Sequence, residues 1–218
     1  MNILINGDFA GGQSAWPGNA SVQLPDGWSL FAFKSLDQRA PEACVMDMGA
    51  PQTLGRIWKI FMSYSAYEYA LGQRVRVPVG SQLVFRASAW AWSSGQDDPM
   101  RSLNGGSYHT RIGIDPFGGV DWRSTDIIWD YPSLGHKVMD CRDAHTVAAV
   151  AEAGIVTVWL SGRHEWALKH GDAYWFNAEL ESLYTPEPPS GDEWHELALS
   201  NAARIRAIED FLASFRKE

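Results

Sequence analysis

The chain has 218 residues, and its 26 acidic against 18 basic side chains leave a net charge of −8. That length fits one ordinary domain with an appendage, and the charge argues against a surface built to neutralise nucleic-acid phosphates or anionic lipid. The longest weakly polar stretch, 146–160, is broken by Glu152 and is too short to span a bilayer as a helix, so neither nucleic acid nor membrane is an expected partner. Residues 1–9 carry no basic leader and no long apolar run. This predicts synthesis in the cytoplasm, with exit only by lysis or within an assembled particle such as a virion. Cys44 and Cys141 are too few for a disulfide framework and too far apart for a metal-ligand pair, and are read as free buried thiols.

Eleven tryptophans exceed what a core of this size needs. An indole offers a broad apolar face with an N–H handle, which suits both interfaces and stacking on sugar rings.

Short apolar runs rich in β-branched and aromatic residues, separated by Gly, Pro, Asn and Asp clusters, predict an all-β sandwich or barrel up to about residue 184. Strands are expected near 3–9, 27–33, 43–48, 57–63, 69–77, 81–93, 107–115, 126–130, 144–151, 155–162 and 172–183. Turn residues at 78–80, 104–106, 116–119 and 171–172 support these divisions. No helical period occurs before residue 190.

The strand at 81–93 has two distinct faces. Leu83, Phe85, Ala87, Ala89 and Ala91 form the core side, while Val84, Arg86, Ser88, Trp90 and Trp92 form a polar side ending in two indoles. Trp90 and Trp92 are therefore expected as a partly exposed aromatic platform, the alternative being that they pack under a long loop or a partner subunit. In the strand at 107–115, Tyr108, Thr110, Ile112 and Ile114 share one face, and His109, Arg111 and Asp115 the other. If the two strands are neighbours, Arg86, His109 and Arg111 lie beside the platform as polar readout groups.

Composition changes at 185–191, Thr-Pro-Glu-Pro-Pro-Ser-Gly, to a stiff extended linker. The capping pattern of Ser190 and Glu193 then predicts a helix over 192–218. Trp194, Ala198, Asn201, Ile205, Ile208, Leu212 and Phe215 follow steps of four and three, a heptad seam with one polar residue inside it. This helix is expected to join copies of the chain into a homo-oligomer.

Residues 2–9, Asn-Ile-Leu-Ile-Asn-Gly-Asp-Phe, together with 24–29, Leu-Pro-Asp-Gly-Trp-Ser, resemble the opening of carbohydrate-binding modules of families four and nine. The stretches 71–81, 111–121 and 173–180 extend the likeness over most of 1–184. The resemblance implies a galactose-binding-domain-like jelly roll that binds a glycan or polysaccharide through aromatic and polar side chains. It also implies a structural calcium where the first strand meets the last. The two acidic ligand positions are here Ala10 and Asn177, which remove carboxylate charge that calcium prefers. Asp8 and Asn177 remain as weak ligands, and calcium is expected to bind weakly or not at all; no other cofactor is implied.

Catalysis finds little support. His164 and His170 are six apart on a loop, without the helix that would aim both at one zinc ion. Asp97, Asp98, Asp121 and Asp126 read as solvated loop acids, and no serine elbow, phosphate loop or dinucleotide fingerprint is present. The sequence therefore reads as a non-catalytic jelly roll, multimerised for glycan or surface adhesion. The alternative is a structural virion protein whose sandwich packs against other virion proteins.

Overall fold

Strict alternation along residues 82–94 places Leu83, Phe85, Ala87, Ala89 and Ala91 in the hydrophobic core, and each is almost wholly buried. The computed structural model of the chain describes residues 2–17, 19–35, 37–48, 55–98, 101, 107–133 and 143–183. Twelve strands and no helix occur among them. The strands are β1 (Gln13–Trp16), β2 (Asn19–Pro25), β3 (Ser29–Ser35), β4 (Glu42–Met48), β5 (Gly55–Phe61), β6 (Tyr67–Arg76), β7 (Gln82–Ser94), β8 (Tyr108–Asp115), β9 (Ile128–Trp129), β10 (Asp143–Val150), β11 (Ile155–His164) and β12 (His170–Leu183).

They form a seven-stranded sheet in the order β1-β2-β4-β5-β12-β7-β10 and a five-stranded sheet in the order β3-β6-β11-β8-β9. All strand pairs are antiparallel except β2 with β4. The two sheets face each other across one core, a jelly-roll-like sandwich. Small Ala87, Ala89 and Ala91 leave room for Tyr67, Tyr69, Tyr108 and Trp175, all in the same cluster. The buried tyrosine hydroxyls are paired, as burial requires: Tyr67 donates to the Gly171 carbonyl at 2.7 Å, the Tyr67 and Tyr108 hydroxyls lie 2.9 Å apart, and Trp175 Nε1 donates to the Tyr69 hydroxyl at 2.5 Å. Burial pushes all three tyrosines above the usual phenol range, which keeps them protonated.

Ten of the expected strands have a counterpart, and one does not. Residues 3–9 are turns, with Asn6 at φ 53° and Phe9 at φ 56°. Their apolar alternation serves docking on the sandwich instead, where Ile3 and Leu4 pack against the core and Ile3 N–H donates to the Leu180 carbonyl at 3.0 Å. The β1–β2 hairpin has no counterpart among the expected strands, because Gln13–Trp16 is mostly exposed and carries no apolar period. The expected turn after β8 forms around Asp115, which accepts the Phe117 N–H at 2.9 Å, with Gly118 at φ 70°. Cys44 is a free, half-buried thiol; Cys141 lies outside the described residues. So do the linker at 185–191 and the helix expected over 192–218, with its seam of Trp194, Ala198, Asn201, Ile205, Ile208, Leu212 and Phe215. Among the described residues no helix is long and apolar enough to cross a membrane.

Candidate functional site

The expected polar and aromatic residues fall on two different surfaces. β7 belongs to the seven-stranded sheet and β8 to the five-stranded one, so they are not neighbours in a sheet. Trp90, Trp92 and Arg86 point out of the first sheet, while His109 and Arg111 point out of the second, on the opposite side of the sandwich. The five residues therefore do not form one site. Two-residue periodicity fixes which face a side chain takes, but not which strand lies alongside.

The indoles of β7 do not form an open platform. Trp92 is 6% exposed and stacks on the His170 ring with centroids 4.1 Å apart and planes 13° from parallel. Trp90 is half-buried and packs edge-on against Phe176 at 5.7 Å. Arg86 is engaged with Glu181 at 2.7 Å.

The outer face of the five-stranded sheet has a different character, set by the register of β6, β11 and β8. One row across the strands runs Lys34, Glu68, Arg163 and His109. The next brings Ala70, Ser161 and Arg111 level, and the one beyond it Gly72, Trp159, Gly113 and Trp129. The middle row is short except for Arg111, so a hollow opens between a charged row and an aromatic row. Glycine is needed at two places in the aromatic row: a Cβ at Gly72 would stand 3.0 Å from the Trp159 ring, and one at Gly113 only 2.6 Å from the Trp129 ring.

A cavity of about 310 Å³ results, lined by Glu68, His109, Arg111, Trp122, Arg163 and Glu165 around Ser161. A second hollow of about 460 Å³ shares Glu68, Arg163 and Glu165 with it and adds Lys34, which extends the depression across the strands. Trp122 enters from the turn after β8, held by the Asp121 carboxylate that accepts the Arg123 N–H at 3.0 Å. It is half-buried against the outer aromatic cluster of Phe31, Trp129 and Trp159.

The polar groups of this cavity differ in how far the protein satisfies them. His109 is held from both nitrogens, Nδ1 at 2.8 Å from the Ser133 carbonyl and Nε2 at 2.8 Å from the Ser107 hydroxyl. The carbonyl can only accept, so Nδ1 is the donor. The Ser107 hydroxyl, with His109 and Arg163 nearby, holds Glu165 below the usual carboxylate range. It is therefore an ionised acceptor, suited to receiving hydrogen bonds from hydroxyl groups rather than to giving up a proton. Arg163 lies 3.5 Å from Glu165, and Glu68 lies 3.9 Å from Arg123. Arg111 rests on the Trp129 ring at 4.0 Å, and burial pulls its guanidinium below the usual arginine value. Of the residues lining this cavity, the sequence reading names His109 and Arg111 as glycan-binding candidates, and does not so name Glu68, Trp122, Arg163 and Glu165. Trp122 sits in a turn without period, and the others converge only through the β6-β11-β8 register.

In the region where a structural calcium is implied, the oxygens of residues 7, 8 and 178 accept hydrogen bonds from N–H donors. Asp8 is exposed and its Oδ1 accepts the Ala10 N–H at 3.1 Å, while Asn177 is exposed at φ 53°. The Gly7 carbonyl accepts the Ala178 N–H at 2.9 Å, and the Ala178 carbonyl accepts from Asn2 Nδ2 at 2.9 Å. Among the described residues no group of three or more His, Cys, Asp or Glu side chains is placed to hold a metal. His164, the partner of His170 in the spacing that suggests zinc, is buried between the Ser93 hydroxyl at 2.8 Å and the Ser65 carbonyl at 2.9 Å.

No protein-family model matches the chain, and no curated protein matches it. Solved structures do. The carbohydrate-binding module TmCBM61, solved in complex with β-1,4-galactotriose, superposes with a TM-score of 0.50 at 12% identity, over 83% of this chain and 98% of that one. A candidate sugar binding protein from Bacteroides thetaiotaomicron gives 0.48 at 13% identity, over 83% and 99% of the two chains. A family 16 carbohydrate-binding module gives 0.42 at 12% identity, over 83% and 99%. The likeness to TmCBM61 is one of fold: the described residues share the β-sandwich of a carbohydrate-binding module.

Proposed function

We propose that this protein is a non-catalytic carbohydrate-binding module that holds a polysaccharide segment across the outer face of its five-stranded sheet. The observation that carries the reading is the cavity beside Trp122, where a half-buried indole adjoins ionised acceptors and fixed donors. An apolar ring surface with a few convergent polar groups is what a sugar, with its apolar C–H face and hydroxyl rim, requires. Glu68 and Glu165 accept from sugar hydroxyls, and Arg111 and Arg163 donate. The adjoining hollow reached by Lys34 provides room for further sugar units of a linear chain.

The finer assignment, to the type of families four and nine, is supported by residues 2–9 and 24–29. Self-association through residues 192–218 is supported by the heptad spacing there, and would let several weak sites act together. Trp122→Ala tests the site. Affinity electrophoresis in neutral gels of β-1,4-galactan and xylan and in acidic gels of polygalacturonate and alginate should retard the wild type in at least one gel, and the variant should migrate freely in the same gel. Retardation unaffected by Trp122→Ala refutes this location.

A further inference from the structure

Arg111 is unlike the other charges around this cavity. Arg163 has Glu165, Glu165 has Ser107, and Glu68 has Arg123 within ion-pair range. Arg111 has the Trp129 ring at 4.0 Å, but among the described residues its guanidinium has no hydrogen bond and no ion pair; Asp130 and Glu68 act on it only through the longer-range field. A guanidinium remains protonated in proteins and offers five N–H donors in a planar fork. Half-buried on an indole, it is shielded from part of its water without a carboxylate in contact, in a protein whose net charge is −8. Desolvating an unpaired charge is costly unless a partner arrives. The indole presses on one side of the fork, and the cavity to which Arg111 contributes is open beside it.

Resting on the glycan-binding reading above, we infer that the ligand is an acidic polysaccharide, with a uronic acid carboxylate received by the Arg111 fork. A planar carboxylate matches the guanidinium in a bidentate pair, which is stronger and more directional than a hydrogen bond to a neutral hydroxyl. Glu68 and Glu165 do not oppose this placement. Glu165 is compensated by Arg163 and Glu68 has Arg123 nearby, so both remain available as acceptors for the hydroxyls of the same or the adjacent sugar. The charged group is thereby assigned to the Trp129 side of the cavity and the hydroxyl rim to the Arg163 side.

The test uses the full-length protein and four uronate polymers, namely polygalacturonate, alginate, hyaluronan and glucuronoxylan. Each is paired with its methyl-esterified form, which keeps the backbone and removes the charge. β-1,4-Galactan and dextran sulfate complete the set. The expected result is binding to at least one uronate polymer, weakened roughly tenfold by esterification or by ~1 M salt. Arg111→Gln should abolish the preference for acid over ester while keeping residual binding to the ester. Arg111→Lys, which retains charge without the fork, should lose most of it, and thermal midpoints of both variants check folding. Trp122→Ala should abolish binding to both forms. Equal binding of acid and ester, or a preference that survives Arg111→Gln, overturns the acidic-ligand inference and leaves the glycan site standing if Trp122→Ala still abolishes binding. Tighter binding of dextran sulfate than of any uronate overturns the carboxylate in favour of sulfate. Failure to bind any of the polymers overturns both readings.

Discussion

Replacing Gly113 with alanine probes the aromatic row that supports the site. The new Cβ would lie 2.6 Å from Trp129 Cε3 and 2.9 Å from Ile127 Cγ2, whereas ordinary contact begins at 3.4 Å. The Trp129 ring must therefore retreat by 3.4 − 2.6 = 0.8 Å. Trp129 ends the two-residue strand β9 at the sheet edge, so it can move, but Arg111 stacks on it at 4.0 Å and must move with it. Overpacking of this kind costs about 1–3 kcal/mol, which for a chain of this length lowers the melting midpoint by roughly 2–12 °C. A displacement beyond the ~0.5 Å that a preorganised site tolerates should also weaken glycan binding several-fold. Gly154→Ala is the control, since nothing lies within 4 Å of where its Cβ would stand, and it should stay within about 0.5 kcal/mol of wild type. Calorimetric melting with a parallel polysaccharide titration reads both effects. A Gly113→Ala protein with wild-type midpoint and wild-type affinity would refute the coupling of Gly113, Trp129 and Arg111.

Three further outcomes follow from the geometry. Trp92→Ala should cost about 3 kcal/mol or more, because the indole is buried and stacked on His170, yet leave glycan affinity unchanged; denaturant titration and the binding assay separate the two. Asn2→Ala removes the donor to the Ala178 carbonyl and the acceptor of the Leu180 N–H, at 2.9 and 3.0 Å, and should destabilise by about 1–3 kcal/mol. Millimolar calcium should leave the midpoint of wild type and variant unmoved, and a chelator-reversible rise would contradict the assignment of those oxygens. Burial holds His164 below the ordinary histidine value of 6.5, against the pull of the Ser65 carbonyl and Asp172. The unfolded chain then takes up the proton first, so this contribution to stability is present above pH 6.5 and is lost as pH falls below it. His164→Gln should flatten that part of the plot of melting midpoint against pH, and an identical slope in the variant would count against a neutral buried imidazole.

Much of the sandwich was legible in the residues. Alternation assigned the inward residues of β7 and told which residues of β8 share a face, because a half-buried strand must place every second side chain in the core. Phe85, Ala89, Tyr108 and Ile112 all lie where that period puts them. The same period misled at residues 3–9, where apolar side chains dock a turn onto the core edge instead of building a strand. The site was less legible, for a physical reason. Glu68, Arg163 and His109 share a row only because β11 pairs with both β6 and β8, and long-range register leaves no trace within any one strand. Trp90 and Trp92 looked like the platform because they share a face. His170 in β12 covers Trp92, whereas Trp122, in a turn where no period marks it, lines the cavity on the other sheet.

The indole N–H resonances of the tryptophans distinguish the two faces of the sandwich as binding surface, since each reports its own surroundings during titration with an oligosaccharide of the polysaccharide that the protein retains. The Trp122 resonance, identified by its loss in Trp122→Phe, should shift progressively and saturably, with a smaller response at Trp129, while Trp90 and Trp92 stay fixed. Shifts confined to Trp90 and Trp92, with Trp122 unmoved, would place the ligand on the opposite sheet and contradict the proposed site.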